Sequence, residues 1–210
     1  MSPKKTQEND ISTEERIKNA ARTVFHQKGY AATRTRDIAE EAGINLALLN
    51  YYFRSKEKLF DIIMMEGLGS FVQSMTSVFN DQQTTLYEKV AAIVEGYMDL
   101  FWKEPELPVF VLSEMRRNPE VLMERMQHKQ YILDSYFLKQ YFEAVEKGEV
   151  EPISVFHFIM NITSLTIFPF ISGPMLKAIA GLTNEQHQAL MQERKKLIPQ
   201  WIKLMFNKQA

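Results

Sequence analysis

The sequence predicts an all-α fold. Apolar residues recur at helical spacing along nearly the whole chain, and no stretch keeps the period-two alternation of a strand. Only 8 Gly and 8 Pro interrupt the 210 residues. Apolar residues make up 45% and charged residues 24%, enough for a sizeable core, which excludes global disorder. With no cysteine, a disulfide scaffold, a thiolate zinc site and a cysteine redox switch are excluded.

The elements follow in order. A polar tail, 1–10, leads into a helix expected over 13–28, where Ile17, Ala20, Ala21, Val24 and Phe25 keep one face apolar. Ser12 supplies its cap, Glu15 its acidic first turn and Gly29 a left-handed stop. A short helix at 35–42 buries Ile38, Ala39 and Ala42 and ends at Gly43. Another runs from Asn45 or Leu46 to Tyr52, and Ser55 starts a long one reaching Phe79. Further helices are expected near 84–103, 106–117, 120–146 (one helix or two), 153–171 and 184–207. The breakers between them are Asp81, Pro105 with Pro108, Asn118-Pro119, Gly148 with Pro152, and Ser172-Gly173-Pro174. From Ile153 to Leu176 the chain carries no Asp, Glu, Lys or Arg, yet His157, Asn161, Ser172 and Pro174 interrupt the run. That stretch reads as a core or subunit-interface helix rather than a membrane span. The start, MSPKKTQEND, lacks the apolar stretch of a secretory signal, and a cytoplasmic location is the expectation.

The net charge of −1 conceals an asymmetry. Residues 1–60 hold 11 Lys and Arg against 8 Asp and Glu, whereas 61–210 hold 14 against 18. The basic portion coincides with the three N-terminal helices, whose Gly-containing turn at Gly43 makes a helix-turn-helix. Helices this short are marginal alone and must lean on their longer neighbours. On the third, Leu49 and Phe53 share the inward side. Ala47, Leu48 and Tyr51 point away from it, with Asn50 on the flank. Such a face suits a major groove, where small and apolar side chains meet thymine methyls and Asn pairs with adenine. Thr35, Arg36, Tyr52 and Lys56 stand around it as candidate phosphate partners, with Thr33 and Arg34 just before.

The run GYAATRTRDIAEEAGINLALLNYYFRSKEKLFDIIM, together with the preceding ERIKNAARTVFHQKG, resembles the DNA-binding segment of the TetR family of bacterial regulators. The resemblance is close over about 50 residues and extends to the rest only by length and helical pattern. It implies an N-terminal DNA-binding domain, 11–57, and a larger helical effector-binding and dimerisation domain, 58–210. By that resemblance Thr35 and Arg36 meet the backbone or a base edge, and Leu46, Ala47, Leu48 and Asn50 lie where bases are read. Tyr51 and Tyr52 flank the groove, and Lys56 holds a phosphate. The chain departs from the usual pattern at Leu48, where Thr or a small residue is common, and at Asn50, where Tyr is. Both are specificity positions.

The C-terminal part is rich in Phe, Tyr and Met. Met98, Phe101, Trp102, Phe110, Met115, Phe137 and Tyr141 are candidate lining for an apolar effector pocket, though such stripes also serve as plain core. Phe156, Met160, Thr163 and Ile167 form a seam, and Ile198, Trp201, Ile202 and Met205 a second. The resemblance implies that the two seams pair with their symmetry mates. The four histidines are scattered, with no phosphate-binding Gly loop, nucleophile elbow or metal-ligand spacing, so neither catalysis nor a metal or cofactor is expected. The expected protein is a homodimeric, ligand-responsive repressor that binds a pseudo-palindromic double-stranded DNA operator and is released by a small apolar or amphipathic effector. A protein–protein interaction module without sequence-specific DNA binding is the alternative.

Overall fold

A computed structural model describes residues 12–117, 119–125 and 134–207, and these are built on α-helices. The expected polar tail and the middle of the 120–146 stretch lie outside the described residues. In chain order the helices are α1 (Thr13–Ala32), α2 (Thr35–Glu41), α3 (Leu46–Phe53), α4 (Lys56–Asn80), α5 (Leu86–Lys103), α6 (Leu107–Arg117), α7 (Pro119–Arg125), α8 (Tyr136–Glu146), α9 (Val155–Ile171), α10 (Gly173–Ala180) and α11 (Asn184–Phe206). The chain divides into two compact units, Met1–Glu66 and Gly67–Ala210. The division falls inside α4, later than the 57/58 boundary expected, because the first turns of α4 bury Leu59, Phe60, Ile63 and Met64 in the N-terminal unit.

In that unit Ser12 caps α1 by accepting from the Glu15 amide, and Gly29 breaks the helix with a positive φ of 73°. Ile17, Val24, Phe25, Ile38, Leu49 and Phe53 are buried, and the Phe25 and Phe60 rings meet edge to face at 5.1 Å. Lys18 and Arg22 on α1 both reach the Glu66 carboxylate, at 2.8 and 3.1 Å. Glu15 closes the cluster on Lys18 at 2.8 Å, and the shared proton donor holds the Glu15 carboxyl below its ordinary range.

In the second unit α5 is the central helix and packs against α8, α9 and α11. Its inward residues Val90, Val94 and Met98 meet Phe137, Tyr141, Phe158, Ile198 and Phe206 in one core. Lys89 is buried at the start of α5, where its ammonium donates to the Asp81 and Thr84 carbonyls and the Thr84 hydroxyl. A buried charge is tolerable only when so satisfied. Helix α9 contains Pro169, and a bend of 62° separates it from α10. By length and composition α4, and α9 with α10 taken together, are apolar enough to cross a membrane. The α9 face bearing Phe158, Ile162, Thr166 and Pro169 is buried within the unit, as a core helix requires.

Candidate nucleic-acid interface

The turn between α2 and α3 is built by Gly43, whose φ of +62° excludes most side chains although no atom crowds its Cβ position. The Ile44 and Gly43 amides close the end of α2 by donating to the Ala39 and Glu40 carbonyls, each at 3.0 Å. Asn45 then caps α3, its Oδ1 accepting from the Leu48 amide at 2.8 Å. Two adjacent local motifs thus fix the direction of an eight-residue helix that could not hold itself.

Leu49 and Phe53 form the buried base of α3, as the sequence predicts for core residues. Ala47, Asn50, Tyr51 and Tyr52 are exposed, whereas Leu46 and Leu48 are half-buried. The outward surface is therefore narrower than the expected Leu–Ala–Leu–Asn side, because the two leucines are only partly exposed. Tyr51 is 80% exposed, and its ring meets Tyr52 edge to face at 5.5 Å. An aromatic pair left in solvent is costly unless something covers it. Arg36 and Arg34 are exposed and Thr35 is half-buried at the α2 N-terminus. The Asp37 carboxylate accepts from the Arg34 amide at 2.9 Å and sits 3.4 Å from Lys28. These contacts lower its pKa, the backbone amide first. Part of the positive end of α2 is thus answered within the chain.

Lys56 has a place that sequence alone did not reveal. Its ammonium donates to the Tyr30 carbonyl at 2.8 Å and to the Thr33 carbonyl at 2.9 Å, and lies 4.2 Å from the centre of the Tyr30 ring. Two of its three protons are spent on fastening the segment before α2 to the start of α4. Its third proton is left over from these two bonds. The spacing of 23 and 26 residues between the partners leaves no local sequence signal.

The expected effector-pocket residues do not form one box. Met98, Phe101, Phe110, Phe137 and Tyr141 are buried as core, and the Tyr141 hydroxyl donates to the Ile153 carbonyl at 3.0 Å. Trp102 is half-buried against Phe170, and Met115 is 56% exposed on α6. None of the seven lines the open cleft of about 630 Å³ between α4 and α5, or the apolar cleft of about 250 Å³ among α9, α10 and α11. Aromatic and Met stripes at helical spacing are first of all packing material, which is what the five buried residues are.

The two seams divide similarly. Phe156, Met160 and Met205 are exposed, and Thr163, Ile167 and Trp201 are half-buried. Ile198 and Ile202 are each 0% exposed in the protomer's own core, and are removed from the expected interface. Helix α11 is apolar on two sides, and the Ile198–Ile202–Phe206 row faces inward. Leu190 and Leu204 are exposed on the same helix, as are Phe168 on α9 and Met175 and Ile179 on α10. Among the described residues no group of three or more His, Asp or Glu could hold a metal.

Residues 17–63 match the family described as bacterial regulatory proteins, tetR family. Over 174 residues the chain is 24% identical to the probable HTH-type transcriptional regulator YttP of Bacillus subtilis (strain 168), covering 80% of this chain and 82% of the relative. Its fold is similar to that of a TetR/AcrR-family transcriptional regulator from Thermobifida fusca YX-ER1, with a TM-score of 0.63 at 16% identity over 89% of this chain and 96% of that one. It is also similar to the transcriptional regulator FadR from Bacillus subtilis in complex with stearoyl-CoA, with a TM-score of 0.56 at 21% identity over 87% and 96% of the two chains. The helix-turn-helix built around Gly43, the exposed face of α3 and residues 17–63 all lie in one unit, and that segment is similar to the DNA-binding part of the bacterial regulatory proteins of the tetR family.

Proposed function

We propose that the protein is a homodimeric repressor that reads a pseudo-palindromic operator with α3 in the major groove and lets go when a small apolar or amphipathic molecule occupies its C-terminal unit. The observation carrying this reading is the face of α3. Ala47, Asn50 and Tyr51 are exposed on a helix whose opposite side, Leu49 and Phe53, is fixed in the core. Asn50 has the bidentate amide that pairs with adenine, and Ala47 the small apolar surface that meets a thymine methyl. Arg36, Thr35, Tyr52 and the remaining proton of Lys56 are assigned to phosphates, where they set register without reading sequence. Leu46 and Leu48 are assigned the edge of the base-reading surface.

The exposed apolar residues Phe156, Met160, Leu204 and Met205 on α9 and α11 support a two-fold interface with a second copy. Two-fold pairing places two recognition helices about 34–36 Å apart, one turn of duplex. A relative of known structure carries stearoyl-CoA, which supports an amphipathic effector as a class. By linkage, an effector that weakens DNA binding is itself held less tightly by the DNA-bound form. We assign the protein no catalytic activity and place it in the cytoplasm with its DNA. Genomic fragments retained by the purified protein, sequenced and then challenged with amphipathic molecules, test the reading. A shared inverted repeat is expected, and retention without any common sequence would overturn it.

A further inference from the structure

The cleft among α9, α10 and α11 has a makeup that packing alone does not explain. Its volume is about 250 Å³, below the roughly 300–1,000 Å³ of sites for drug-sized ligands, and apolar side chains line most of it, among them Phe168, Leu190, Leu197 and Trp201. Two polar groups stand in this wall without the partners their burial calls for. His187 is 8% exposed, and its Nε2 is buried with no hydrogen-bond partner among the described residues. Arg194 is half-buried and stacks 5.1 Å from the centre of the Trp201 ring. Its Nε donates to the Leu165 carbonyl at 3.1 Å, and among the described residues no carboxylate pairs with its guanidinium. The remaining N–H groups of that fork match a carboxylate in shape and charge. Glu193 also lines the cleft, and Lys177 on α10 acts on His187, so the three charged groups leave a net positive site.

We propose that this cleft binds a small monocarboxylate with an apolar body, its carboxylate on Arg194 with His187 as second donor, and its body against Phe168, Leu190, Leu197 and Trp201. A carboxylate supplies the acceptors that Arg194 and His187 lack, and the apolar body fills the space beside them. The charge of Glu193 directs the carboxylate to the Arg194 and His187 side. A bulky ligand is excluded by the volume. The site does not depend on the DNA-binding reading, because every group in it belongs to the C-terminal unit.

The test is isothermal titration calorimetry of the full chain with octanoate and, separately, with 1-octanol, which has a similar apolar length and no charge. Octanoate is expected to bind saturably, once per chain, and octanol at least tenfold more weakly. Arg194→Met should bring octanoate down to the octanol level and leave octanol unchanged. If that variant unfolds, the same comparison is made in the Pro169→Ala background, which returns an amide donor to the Leu165 carbonyl. Leu190→Trp, which fills the cleft and spares both polar groups, should abolish binding of either molecule. Equal affinities for octanoate and octanol would overturn the proposal, as would octanoate binding that survives Leu190→Trp. Absence of binding by the folded protein would also overturn it and give the cleft to a side chain of a second copy.

Discussion

Arg194 on α11 donates its Nε proton to the Leu165 carbonyl on α9, at 3.1 Å. Leu165 lies four residues before Pro169, which has no amide proton to complete the helical bond, so the arginine replaces a donor that the helix lacks. The contact makes a proline-broken helix compatible with burial.

Replacing Arg194 by Met leaves that carbonyl without a donor and should cost about 1–3 kcal/mol of stability by denaturant unfolding. In a Pro169→Ala background the helix makes its own bond, and the same replacement should cost much less. Equal costs in the two backgrounds would show that Arg194 acts through something other than Leu165.

Lys56 fastens the segment before α2 by donating to the Tyr30 and Thr33 carbonyls. Lys56→Met should therefore lower thermal stability, by about 1–3 kcal/mol for two carbonyls left unanswered, and weaken binding to every duplex alike. A variant with unchanged melting and a salt slope reduced by about one would assign the residue to phosphate alone.

Ile198 and Met160 separate folding from assembly. Ile198 is 0% exposed and Met160 53%. Ile198→Ala should destabilise the protomer by about 2–5 kcal/mol. Met160→Glu should leave its secondary structure intact and shift the chain from dimer to monomer in light scattering. A dimer that tolerates Met160→Glu together with Phe156→Glu would remove α9 from the interface.

Burial and the nearby Lys177 charge hold the His187 imidazole below its usual pKa. The ring also faces Trp102 of α5 at 6.3 Å and Gly173 of α10. As pH falls through the ordinary imidazole value, the unfolded chain takes up this proton before the folded one does. Stability is then lost from that value downward to the depressed one. His187→Gln should show a shallower loss of melting temperature than the unaltered protein as pH falls below the ordinary imidazole value.

Much of the architecture was legible because periodicity and capping agree. Ser12, Gly43 and Asn45 perform the local roles their types suggest, and α5 follows its apolar stripe. Helix α10 is hidden in the sequence because Ser172-Gly173-Pro174 has the composition of a break. In fact Pro174 sits in the first turn, where its missing amide is harmless. Gly173 leaves room for the His187 ring, whose Nε2 lies 3.3 Å from where a Cβ would be. Ile198 and Trp201 illustrate a different limit. On a helix apolar on two sides, spacing does not say which side meets the protomer and which remains free. The partners of Lys56 and Arg194 are distant in sequence and carry no local signature.

The central claim is that α3 enters a duplex and reads it. The most direct measurement is a salt titration of binding to a retained inverted-repeat duplex and to a scrambled one, for the unaltered chain, Asn50→Ala and Arg36→Ala. Log affinity should fall linearly with log salt, and Arg36→Ala should make the slope shallower by about one without changing preference. Asn50→Ala should keep the slope and lose about 1–3 kcal/mol of discrimination at one base position. Absence of duplex binding at every salt concentration, or an unaltered base preference after Asn50→Ala and Ala47→Gly alike, would contradict it.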